Sequence, residues 1–165
     1  MTGADAIGAS IGLALYQPDI AANTAAVIRL AACLEAPLAI IEPCGFVWDR
    51  RRLSRVALDY LEQARLTRHA SFAEFDAFRR AAGRRLVLLT TRGEASYCEV
   101  SYAPGDVLLA GRESAGVPEE VHAVVDLAVR IPLAAGRRSL NVAVALAMVL
   151  GEALRQTGGF PVPGR

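Results

Sequence analysis

Residues 11–42 read "IGLALYQPDIAANTAAVIRLAACLEAPLAIIE". Ile11 to Tyr16 is a short apolar run closed by the turn signal "QPD", which predicts a strand. Asn23 can then cap a helix, because its side-chain oxygen accepts an orphan backbone N–H. The helix is predicted over residues 24–35, with Pro37 forcing a stop. Leu38 to Glu42 predicts a second short strand. The helix holds one charge in its middle, Arg29, with Glu35 at its end. The helical neighbours of Arg29, three and four residues away, are Ala25, Ala26, Ala32 and Cys33. All are small. Either another backbone packs closely there, or the guanidinium reaches past them into a cleft, or it snorkels into solvent. Cys33 itself reads as core.

The alternation continues outward. "PCGFVWD" (Pro43–Asp49) reads as a loop carrying aromatic side chains, and "RRRLSRVA" (Arg50–Ala57) as a short basic helix. "ARLTR" (Ala64–Arg68) predicts a strand. "SFAEFDAFRRAA" opens with a capping box, Ser71 followed three residues later by Glu74, and Phe72, Phe75 and Phe78 form a helical stripe that reads as core. "RLVLLTT" (Arg85–Thr91), "DVLLAG" (Asp106–Gly111) and a last strand ending near Ile131 follow, then a helix from Asn141 to Gln156. Strands that are continuous apolar runs, alternating with helices, describe an α/β domain with a mostly parallel sheet. Such sheets bind ligands in loops beyond the carboxyl ends of their strands. Three segments have that placement: the helix start at Asn23, "GRESAGVP" (Gly111–Pro118) and "IPLAAGRRSLN" (Ile131–Asn141).

The chain of 165 residues is 53% hydrophobic, which suits one folded domain. That domain is expected over residues 11–160, with tails at 1–10 and 161–165. The start lacks the basic and apolar regions of a secretory signal, and Val142–Leu150 is too short to span a bilayer. Formal net charge is +1, and all 18 basic residues are arginines. They cluster at Arg50–Arg55, Arg79–Arg80, Arg84–Arg85 and Arg137–Arg138. Guanidinium forks suit phosphate, which leaves RNA binding open beside the plainer reading of solvated faces. Three separated cysteines and two lone histidines offer no zinc pattern and suit a reduced compartment. There is no Walker loop, no GxGxxG and no Ser-His-Asp spacing.

In "AGRESAGVP", Gly111 and Gly116 permit close backbone approach, and Glu113 between them suits hydrogen bonding better than packing. In "AAGRRSLNVA", Ser139 or Asn141 can cap the last helix, and each can instead orient a ligand. Ile131 and Leu140 offer apolar walls for a flat ring. The last helix offers almost no polar face. Burial between two subunits accounts for this, so a homodimer is expected, with Val142, Leu146 and Val149 on the shared face. A helix wedged into a monomer core is the alternative.

The ordered set "LYQPDIAANTAAVIRLA", "IIEPCGFVWDRRRLSRVALDY", "LTTRG", "AGRESAGVP" and "RIPLAAGRRSLNVAVALAMVLGEALRQ" resembles the SPOUT class of RNA 2'-O-methyltransferases over Ile11–Gly159. The second stretch favours the bacterial branch acting on the wobble nucleotide of tRNA. The resemblance implies a SPOUT fold with a C-terminal deep trefoil knot, an exception to the rule against threading. It implies S-adenosyl-L-methionine as methyl donor, bent within the knot near a dimer interface, and the ribose 2'-hydroxyl of a wobble cytidine or modified uridine as acceptor. The partners it implies are a second copy and the tRNA anticodon stem-loop, in the cytoplasm, with no membrane and no metal. Carried over by resemblance, the catalytic set is Asn23, Arg29, Glu113, Ser139 and Asn141. The donor pocket is Leu89, Gly111, Ile131, Ser139 and Leu140. Ala25 and Ala26 depart from the usual Gly-Asn of the first motif, Arg112 stands where proline is common, and Gly151 replaces a larger residue. Another RNA nucleotide as target, or a catalytically silent RNA-binding domain, are the alternatives within the class; outside it stands an α/β enzyme for another nucleotide.

Overall fold

Apolar runs of four or five residues fit strands buried on both faces, and the computed structural model builds its sheet from them. It describes residues 10–162, so most of both expected tails lies outside the described residues. The elements are β1 (Gly12–Tyr16), α1 (Ala21–Cys33), β2 (Leu38–Ile41), α2 (Arg50–Ala57), α3 (Tyr60–Gln63), β3 (Leu66–His69), α4 (Phe72–Ala81), β4 (Leu86–Leu89), β5 (Ala95–Ser96), β6 (Val107–Ala110), α5 (Glu119–His122), β7 (Leu127–Arg130) and α6 (Val142–Thr157). The seven strands lie in the order β3-β2-β1-β6-β4-β7-β5. All pairings are parallel. The α/β reading with a mostly parallel sheet therefore holds. Sequence patterning did not anticipate α3, α5 or β5, which are too short to show a period.

Side chains alternate across the sheet. Leu13, Leu15, Ile40 and Leu108 face one layer, where α1 and α6 contribute Val27, Ile28, Leu146, Val149 and Leu150. Ala14, Tyr16, Leu88 and Leu109 face the other, where α4 and α5 contribute Phe75 and Val121.

Five local expectations change. Helix α1 starts at Ala21 with Ile20 as N-cap and no side-chain cap bond, so Asn23 lies inside the first turn and its amide is free for other partners. The helix ends at Cys33, before Pro37: Glu35 turns left-handed at φ 52°, and Ala36 N–H returns to the Ala31 carbonyl at 2.9 Å. Cys33 is exposed. The Ser71 half of the capping box forms, its Oγ accepting from Glu74 N–H at 3.2 Å, while the Glu74 carboxylate reaches one residue further back and accepts from Ala70 N–H at 2.9 Å. Yet only Phe75 of the aromatic stripe is buried, and Phe78 is 58% exposed beside the edge strand.

The fifth concerns α6. Leu146, Val149, Leu150, Ala153 and Leu154 are buried within the single chain. The face assigned to a subunit interface is thus the monomer's own core. The outward face shows Val144 at 49% and Met148 at 38% exposure. No helix among the described residues is long and apolar enough to cross a membrane.

Candidate active site

The parallel register sets three strand ends level. Leu89 of β4 lies opposite Ala110 of β6 and Val129 of β7. Gly111 follows Ala110 directly and Ile131 follows Arg130, the last residue of β7, so both leave the sheet just beyond the level of Leu89. The loops beyond them enclose a cavity of about 670 Å³, within the size range of small-ligand sites. Leu89, Gly111, Ile131, Ser139 and Leu140 line it, and so do Asn23, Glu113 and Asn141. Thus every expected site residue except Arg29 is brought to one cavity.

Close backbone approach shapes the Glu113 loop. Arg112 and Gly116 exchange backbone hydrogen bonds at 2.9 and 2.8 Å, and Gly116 has φ +67°. A Cβ on Gly111 would lie 2.5 Å from the Gly116 carbonyl carbon, so only glycine fits. Glu113 sits in this tight hairpin. One carboxylate oxygen accepts Asp19 N–H at 2.8 Å and the other accepts Asn23 Nδ2 at 3.2 Å. Asn23 Oδ1 in turn accepts Asn141 Nδ2 at 2.8 Å. Asn141 also caps α6, its Oδ1 accepting from Ala143 and Val144 N–H at 2.9 and 3.4 Å. Of the two cap candidates, Asn141 takes the role and Ser139 stays on the cavity wall.

The positive charge of Arg112 is neutralised. Asp19 accepts from its Nε and Nη2 at 3.3 and 3.0 Å, and from Ser114 backbone and hydroxyl. The Ser114 hydroxyl foremost holds the Asp19 carboxyl below its ordinary range; burial opposes it, and Arg112 and the Ser114 N–H add to the lowering. Sequence reasoning passed over this clasp, whose members are 93 to 95 residues apart. It also passed over His122 and Arg138, which line the cavity. Burial, then Arg92, pushes the His122 imidazole down toward its neutral form. Lone residues of these types send no pattern along a chain.

Arg29 is elsewhere. It is exposed, with its guanidinium 5.3 Å from the centre of the Tyr60 ring. Ala22, Ala26, Arg29 and Cys33 share the outward face of α1 by helical spacing. Among the described residues no group of three or more His, Cys, Asp or Glu is arranged to hold a metal.

A parallel α/β sheet whose strand ends enclose a polar-rimmed, apolar-walled cavity defines a nucleotide- or cofactor-binding enzyme domain. The chain belongs to the SpoU rRNA Methylase family, whose profile matches residues 10–151. The tRNA (cytidine(34)-2'-O)-methyltransferase of Ancylobacter novellus is 54% identical over 155 residues, covering 94% of this chain and 98% of the relative. A solved structure concerned with 2-OH methylation of C/U34 on tRNA superposes with TM-score 0.85 at 42% identity, covering 90% of this chain and 97% of the other. The SpoU methyltransferase AviRb of Streptomyces viridochromogenes, solved in complex with the cofactor AdoMet, gives TM-score 0.82 at 29% identity, over 92% of this chain and 63% of that one.

Proposed function

We propose that the chain is a tRNA (cytidine/uridine-34-2'-O)-methyltransferase that uses S-adenosyl-L-methionine, acts as a homodimer on the anticodon stem-loop and works in the cytoplasm. The relatives that act on nucleotide 34 support the target. The observation that carries the reading is the convergence of Asn23, Glu113, Ser139 and Asn141 on one cavity of about 670 Å³. The cavity suits the donor: Leu89, Ile131 and Leu140 offer apolar walls for a purine, and Gly111 lets backbone approach its edge. When bound, the donor supplies an electrophilic methyl carbon on a sulfonium.

The chain's own residues do the rest. Glu113 fixes the first turn of α1 through Asp19 and Asn23, and Asn141 locks that turn to α6. Ser139 is the hydroxyl at the rim. Holding acceptor and donor in line removes most of the orientational cost. Arg29 clamps an RNA phosphate and stabilises charge developing on the ribose oxygen. A guanidinium stays protonated in proteins and is a poor base, so the phosphate is the better proton acceptor.

A second copy explains why Arg29 stands outside the cavity of its own chain. Ile20 and Leu140 line the cavity and are exposed, as are Val144 and Met148. We infer that these side chains form one apolar patch at the cavity mouth, with Arg29 the charge of α1's outward face. Docking two copies there closes the cavity and offers Arg29 to the partner's rim. The same reading makes residues 11–160 one SPOUT domain and takes Ile131–Asn141 through the C-terminal trefoil knot. Calorimetric titration with S-adenosylmethionine and its demethylated product tests the donor assignment. One site per subunit is expected; a folded protein that binds neither overturns it.

A further inference from the structure

The segment Pro43–Asp49 takes no part in the cavity, yet it is welded to the site. Gly45 N–H donates to the Pro18 carbonyl at 2.9 Å. A Cβ on Gly45 would lie 3.0 Å from Asp19 Cα, so the two loops touch backbone to backbone. Asp19 in turn donates its N–H to Glu113. Whatever this segment holds is held in fixed register with the reaction centre.

It holds a stack. The Phe46 and Trp48 rings lie 6.2 Å apart at 22°, and the Arg68 guanidinium lies 4.8 Å from the centre of the Trp48 ring. Glu42 takes the edge of that guanidinium and Trp48 takes one face. With the Arg68 side chain 44% exposed, its other face stays open. Core packing accounts for the inner edges of Phe46 and Trp48. It does not account for an arginine laid on the outer ring face, nor for Val47, 84% exposed at the loop tip. The next element, α2, adds exposed Arg50, Arg51 and Arg55 and has no acidic residue. Arg68 pairs in register with Ile40 of β2, two strands from β1. At about 4.8 Å per strand, that is on the order of 10 Å from β1 and about 15 Å from β6, the nearest strand that lines the cavity, a span that a few nucleotides bridge.

Resting on the activity proposed above, we propose that the Phe46–Trp48–Arg68 stack, flanked by the arginines of α2, is the docking platform for unpaired bases adjoining the methylated nucleotide, one base stacking on the open face of Arg68. Planar cation and aromatic faces accept any base, and basic side chains beside them track the phosphates. A duplex keeps its bases stacked internally and cannot use the platform; a flexible acidic peptide has charge but no rings to lay on it.

Trp48 is the chain's one tryptophan, so its emission reports on the stack directly. The test titrates the donor-saturated, full-length protein with a labelled anticodon stem-loop RNA, a blunt duplex of equal length and a polyglutamate peptide. Anisotropy, Trp48 emission and methyl transfer are read on the same samples. The stem-loop is expected to change Trp48 emission with the midpoint seen by anisotropy, and the duplex and peptide are not. Arg68→Ala and Arg68→Lys are both expected to weaken stem-loop binding about tenfold, ~1.4 kcal/mol, with donor affinity intact. Rescue by lysine, wild-type binding by Arg68→Ala, or stem-loop binding with unchanged emission in the wild type overturns the platform. An emission change with tenfold weakening in the variants, but no methyl transfer, supports the platform and overturns the enzymatic reading. Transfer with no emission change overturns the platform alone.

Discussion

Asn141 donates its side-chain amide to the Asn23 side-chain carbonyl at 2.8 Å across 118 residues of chain. One side chain therefore ends the last loop, starts the last helix and pins the first helix. The two jobs use different atoms. The oxygen caps α6, and the nitrogen binds Asn23.

Substitution separates them. Asn141→Asp keeps the capping oxygen and loses the donor, so thermal stability is expected to stay near wild type while turnover falls at least tenfold. Asn141→Ala loses both and is expected to cost a further ~1 kcal/mol of stability. Thermal melts and single-turnover methyl transfer on both variants check this. Full turnover in Asn141→Asp contradicts a role for the relay.

Arg29→Ala is expected to retain less than about a tenth of the wild-type rate, a loss above ~1.4 kcal/mol. The fold is expected to survive, because the exposed contact with Tyr60 is worth only about 0.5–1 kcal/mol and alanine favours helix. Arg29→Lys is expected to recover little, since an ammonium lacks the fork of donors. Single-turnover rates with donor affinity on the same samples decide. Near-wild-type turnover in both variants is the snorkelling outcome and removes the catalytic role.

For the homodimer, the two faces of α6 make opposite forecasts. Met148→Asp is expected to yield a folded monomer with a weakened donor site. Leu146→Asp is expected to unfold the chain, because Leu146 is fully buried and an unpaired buried charge is very costly. Sedimentation with circular dichroism distinguishes them. A stable wild-type monomer at micromolar concentration contradicts the dimer.

The clasp around Asp19 titrates. Its folded pKa lies below the ordinary 3.8, so its contribution is fully present above about pH 4 and is lost as pH falls through the lowered value. The melting temperatures of wild type and Asp19→Asn are expected to differ by a constant gap at neutral pH that closes in acid. A gap that persists far below pH 3.8 contradicts the assignment.

Continuous apolar runs made the parallel sheet legible, because burial on both faces writes itself into consecutive residues. The loops at the strand ends were legible as glycine, carboxylate and amide placed after such runs. Asn23 misled as a cap because capping and long-range bonding use the same amide, and only the position of Glu113 decides between them. The apolar surround of α6 could not say which face met the sheet: Leu146 and Val149 went to the core, leaving Val144 and Met148 outside. Arg29 was visible as an anomaly, but its place outside the cavity depends on Tyr60 and the path of α3, which no local pattern encodes. The Asp19–Arg112–Ser114 clasp joins residues 93 to 95 apart and is a product of topology alone.

The atom that receives the methyl group tests the central claim most directly. The protein is incubated with S-adenosylmethionine and unmodified total tRNA, which is then digested and mapped by mass spectrometry. The expected result is a single added methyl on the ribose of nucleotide 34, the position named for the relative of 54% identity, blocking alkaline cleavage at that linkage. A methyl on a base, a methyl at another nucleotide, or no transfer by protein that binds the donor contradicts it.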